Sequence, residues 1–132
     1  MMPRCAAAIL GLFLFASGPS FRVAVPGYQW HFPQDDAAHP DFSTEWWYFT
    51  GNLHAAAGRR FGFELTFFRV SPAPGTPLDR QLYFTHFTLT DVSGHRFLLH
   101  TRARRGDWQQ AGIKPTPAGF ELYNENWQAD FD

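Results

Sequence analysis

The sequence predicts an all-β fold, an antiparallel meander that curls into part of a β-barrel and stops before closure. Three observations carry this expectation. Apolar and polar residues alternate with period two in runs separated by Gly- and Pro-rich turns. No stretch of ten or more residues shows helical periodicity. Aromatic residues reach 18% of the chain, with 15 Phe and 5 Trp, enough flat apolar area for a thick β core, an aromatic-lined cavity, or both.

Composition bounds the alternatives. A chain of 132 residues has material for one domain with a real core. Hydrophobic residues make up 45% and charged residues 17%, a balance that folds rather than stays disordered. The formal net charge of −1 gives no strong pull on nucleic acid or an anionic membrane. No nucleic-acid partner is therefore expected, while association with a membrane surface through apolar side chains stays open.

Taken in order, residues 1–18 read as a secretory signal, with a basic start at Arg4, an apolar run from Cys5 to Ala16, and small residues at the end. That run of 12 residues is shorter than the roughly 20 needed to cross a bilayer as a helix. Cys5 is the single cysteine and leaves with the signal, so no internal disulfide is expected. A secreted chain without disulfides points to a bacterial periplasm or cell surface. Residues 19–44 form an irregular lead-in, broken by Pro26, Gly27, Pro33 and Pro40.

From Glu45 the pattern is β. EWWYFTGNL and RFGFELTFFR, joined by a turn at Ala57-Gly58, predict a hairpin. In its second strand Phe61, Phe63, Leu65 and Phe67 share one face, and Gly62, Glu64, Thr66 and Phe68 the other. SPAPGTPLDRQ reads as a surface loop. LYFTHFTLTD and RFLLHTR, around the turn VSGH, give a second pair of strands. ARRGDWQQAGIKPTPAG reads as a loop, and FELYNENW as a fifth strand. Five strands fall short of the about eight of a small closed barrel. An open sheet this aromatic would have a sticky edge. The chain is therefore expected to be the N-terminal portion of a longer protein.

The stretch STEWWYFTGN, residues 43–52, concentrates the candidate chemistry. Alternation sends Trp46, Tyr48 and Thr50 one way, and Glu45, Trp47, Phe49 and Gly51 the other. Bulk on both faces predicts cover on both sides: a barrel interior on one and a packed layer on the other. An isolated Glu45 among rings would be desolvated in its charged form and could serve as a general acid; the plainer reading pairs it with an arginine such as Arg69. His86 shares a strand face with Leu82 and Phe84. It reads either as a cavity-lining acid, base or anchor, or as a core histidine bonded to a hydroxyl such as that of Thr88. His31, His39, Asp35, Asp36 and Asp41 match no metal-ligand spacing, and Arg102, Arg104 and Arg105 read as a solvated strand end. Serine-nucleophile and nucleotide-binding motifs are absent from the sequence.

FPQDDAAHPDFSTEWWYFTGNL, GRRFGFELTFFR and FTHFTLTDVSGHRF resemble the N-terminal part of the AttH-like family, lipocalin-like proteins also called secreted hydrolases, which include the carotenoid 1,2-hydratases. The resemblance runs from about Phe32 to about Phe97 and thins beyond Arg102. It implies that residues 45–132 are the N-terminal part of a lipocalin-like (calycin) barrel, completed by a C-terminal barrel half that this chain lacks. It also implies a hydrophobic small-molecule partner, a carotenoid or lipid. Hydrating an apolar alkene needs a strong proton donor and then water, with no cofactor. On that implication Glu45 and His86 are the candidate catalytic residues, and Trp46, Trp47, Tyr48 and Phe84 the substrate-binding ones. The alternative is a binding module that carries such a ligand without chemistry.

Overall fold

The computed structural model describes residues 18–131, so the expected signal segment lies almost wholly outside the described residues. Seven antiparallel strands form two sheets. The larger holds β1 (Thr44–His54), β2 (Arg60–Val70), β3 (Leu82–Asp91) and β4 (Arg96–Arg105) in sequence order. The smaller holds β5 (Ala111–Pro115), β6 (Phe120–Asn124) and β7 (Trp127–Phe131). The fold is all-β, and the barrel is not closed among the described residues. Two expectations need correction. The loop after β4 contains β5, and the expected fifth strand is a hairpin, β6–β7, turning at Glu125 with φ 58°.

The turns follow from local chemistry. Between β1 and β2 the chain passes through the left-handed region at Ala57 (φ 65°) and Gly58 (φ 77°), the twist a tight hairpin requires. Between β3 and β4 the Asp91 carboxylate accepts from the Gly94 backbone N–H at 2.9 Å and from the Arg59 guanidinium. A Cβ at Gly94 would stand 2.5 Å from Asp91 Oδ2, so a larger residue there would have to push that carboxylate aside.

Register sets what the sheet presents. On the inner face Trp47, Phe67, Thr85 and Arg102 lie in one row across β1–β4, and Phe49, Leu65, Phe87 and His100 in the next. The small sheet packs on this face: Phe67, Phe120 and Leu122 are buried, with Trp47, Phe49, Leu65, Ile113 and Ala129 against them. Burying a side chain of this size is worth about 2–3 kcal/mol, so this cluster holds the two sheets together. Asn124 Nδ2 donates to Thr85 Oγ1 at 2.9 Å across the interior, and the Arg102 guanidinium lies 4.2 Å from the Trp127 ring. Arg104 pairs with Glu125. The basic run is therefore no merely solvated end: Arg102 and Arg104 clamp the β6–β7 turn.

The clamp covers half of the inner face. Eleven residues of strand span about 36 Å and five about 17 Å. Beyond Phe49 the same face continues through Phe63, Leu89 and Leu98 to Leu53 and Phe61, where Leu53 is 47% exposed.

Candidate functional site

β1 alternates as the sequence predicts, and this alternation separates the candidate residues. Glu45 and Trp47 point inward, whereas Trp46 and Tyr48 point outward and are about three-fifths exposed. Phe84 and His86, by register, belong with the outward set. The structure thus brings together Trp46, Tyr48, Phe84 and His86, and leaves Glu45 and Trp47 on the other side of the sheet.

On the outer face the register builds two rows. Trp46, Phe68 and Phe84 stand opposite one another across β1, β2 and β3; Tyr48, Thr66 and His86 form the next row. The Phe68 and His86 rings lie 5.2 Å apart, one row removed. His86 is exposed and makes no hydrogen bond to Thr88 among the described residues, so it is no satisfied core histidine. Further along, Thr50, Glu64, Thr88 and Leu99 make a more polar row, in which Glu64 accepts from Thr66 Oγ1 at 3.1 Å. The expected covering layer over this face is not found among the described residues.

The inner end of β1 is a polar hub. Glu45 is not isolated: Arg69, its direct cross-strand partner, donates to Oε2 at 2.8 Å, and the His39 backbone N–H and Nδ1 reach the carboxylate at 2.8 and 2.7 Å. The Arg69 side chain is fully buried. Its remaining donors go to Gln81 Oε1 and to the carbonyls of His39 and Phe42, so one guanidinium ties the lead-in, β1 and the β2–β3 loop together. Every short contact to Glu45 supplies it with a donor. As an acceptor, Glu45 is the counter-charge that a buried guanidinium requires. Trp47 Nε1 donates to the Asp36 carbonyl at 2.8 Å, which fastens the lead-in a second time.

Around the hub, hydrogen bonds and burial displace titrations in opposite directions. Tyr83, beside Arg69 in the inner row, has its phenol pushed up to about 12 by burial. Asp35 is held below its usual range, chiefly by the donated backbone N–H of His31, with Tyr28 and His39 as further donors. His39 and Arg69 were thus the organising residues, and sequence reasoning named Arg69 only as a partner and set His39 aside. A signal for Arg69 was present: it continues the parity of Phe61, Phe63, Leu65 and Phe67, which puts a cation on the apolar face.

A model of the family described as AttH-like matches residues 23–132. No curated protein matches the chain. Among solved structures, that of an AttH candidate from Nitrosomonas europaea is 32% identical, with a TM-score of 0.61, over 79% of this chain and 31% of its own. The chain therefore spans less than a third of that protein's length.

Proposed function

The chain belongs to the AttH-like family, and on that premise we propose that it supplies one wall of a site for a long apolar molecule, a lipid or polyisoprenoid, laid across the outer face of the large sheet. The observation that carries the reading is the Trp46–Phe68–Phe84 row. Three aromatic residues are cross-strand partners over three strands, with Trp46 62% exposed and Phe68 and Phe84 half-buried beside it. An aromatic row with an exposed end of this kind is what ligand grooves and interfaces use. His86 and Tyr48, in the adjoining row, place polar tips beside it and can orient one end of a ligand. The opposite wall of the site is assigned to further β structure of a longer polypeptide, consistent with the share of the Nitrosomonas europaea protein that this chain spans.

Hydration of an apolar alkene is the chemistry the family resemblance suggests, and it requires an acid on the face that holds the ligand. On that face the register offers His86, one row from the aromatic row, and Glu64, two rows from it, since Glu45 faces the hub. Export to a periplasm or cell surface is also proposed, on the strength of Arg4 and the apolar run that follows it.

Titration of the protein with geranylgeraniol, followed by intrinsic fluorescence, tests the binding reading. Replacing Trp46 and Phe84 together by Ala is expected to weaken binding about tenfold or more, given the area each ring contributes. An unchanged affinity would refute the assignment.

A further inference from the structure

We infer that the lead-in forms a second binding groove, distinct from the outer aromatic face, for a single-chain amphiphile with a carboxylate head. The groove, about 220 Å³, lies on the Glu45 side of β1. Its apolar walls are Val23, Val25, Trp30 and Phe42. Val23 is 75% exposed, Val25 66% and Trp30 67%. The segment is nonetheless held in shape. Trp30 stacks on Phe32 at 6.0 Å and meets the edge of Tyr28 at 5.3 Å, while Tyr28 Oη donates to Asp35 at 2.9 Å. A wall that is both exposed and ordered gives up little conformational entropy when it is covered.

The volume decides the shape of the occupant. At about 220 Å³ it is below the roughly 300 to 1,000 Å³ of sites that enclose drug-sized molecules, a size that one slim chain fills. The charges decide its head. A guanidinium, an imidazole and a carboxylate line the groove: Arg22, His39 and Glu45. Glu45 is offset by Arg69 and bonded by His39, and His39 also approaches Asp35. Arg22 differs. Among the described residues its guanidinium lies over a ring face, 5.4 Å from the Phe42 centroid, acts electrostatically on the Tyr28 phenol, and pairs with no carboxylate. An anionic head set over Phe42 completes it, with the alkyl chain running along Val25 and Trp30.

The experiment is a titration of isotopically labelled protein with dodecanoate and, separately, dodecanol, observed at the Trp30 indole N–H by two-dimensional NMR. Dodecanoate is expected to shift the Trp30 resonance in a saturable way and to bind more tightly than dodecanol. Arg22→Gln is expected to weaken dodecanoate about fivefold, the range of a partly exposed ion pair, and to leave dodecanol unchanged. Val25→Asp is expected to abolish binding of both; the exposure of Val25 makes that change harmless to folding, as unchanged far-UV circular dichroism will show. A Trp30 resonance that dodecanoate does not move, or equal affinity for the two probes in the unsubstituted protein, overturns the inference. Failure of geranylgeraniol to bind the outer face would leave these outcomes untouched, because they are read at a different residue.

Discussion

Arg69 shows how much one side chain can decide. It is fully buried, and the carboxylate, the amide oxygen and the two carbonyls it serves come from three separate segments. Removing it strands Glu45 with only His39 as partner, and a buried ion left without its counter-charge costs about 3–5 kcal/mol. Arg69→Met is therefore expected to lower unfolding stability by that amount in urea denaturation at neutral pH, and Glu45→Gln by less, because an amide oxygen still accepts. Tyr83 supplies a pH signature. Burial pushes its folded-state value up to about 12, above the ordinary phenol value of about 10, so its stabilising share is complete below pH 10 and drains away as pH rises towards 12. The loss is on the order of 2 kcal/mol, and Tyr83→Phe should flatten that part of the stability profile. At this scale alternation made the inward and outward sets of β1 legible from sequence. The His39 contact was not legible, because a proline-broken lead-in carries no period from which to read its position.

At the scale of elements, β2 and β3 are paired on both sides, whereas β1 and β4 each have one free edge among the described residues. Hydrogen exchange is expected to be slowest in β2 and β3 and fastest in β4, whose residues are nearly all exposed. The two sheets meet through Phe67, so Phe67→Ala should cost about 3–5 kcal/mol and release the β5–β7 amides together with those of the large sheet. Equal protection of all seven strands, or undiminished stability in that variant, would show that the sheets are joined some other way. The four long strands were plain in the text as aromatic and aliphatic runs bounded by turn residues, with clean alternation at Phe61, Phe63, Leu65 and Phe67 in β2. β5 was hidden because Ala111, Gly112, Lys114 and Pro115 leave Ile113 as its single large apolar side chain. The β6–β7 turn was hidden because Asn124, Glu125 and Asn126 carry no glycine or proline to mark it, and Glu125 takes the positive φ instead.

For the molecule as a whole, the small sheet packs on one end of the inner face and leaves the other end open, while the outer face carries the Trp46–Phe68–Phe84 row, in which Trp46 is exposed and the two phenylalanines are half-buried. The expectation of an all-β antiparallel meander that does not close into a barrel among the described residues matches this architecture, because period-two patterning specifies faces directly. What covers the exposed remainder of each face is not written in the same pattern: cover is a property of whatever packs there. The central claim is that an apolar ligand lies along Trp46, Phe68 and Phe84, and its most direct test is photocrosslinking with a diazirine-bearing polyisoprenoid alcohol followed by peptide mapping. The account predicts adducts concentrated in β1 and β3, at Trp46, Tyr48, Phe84 and their outward neighbours. Adducts confined to the inner face or to β5–β7, with none on the outward side of β1 and β3, would contradict it.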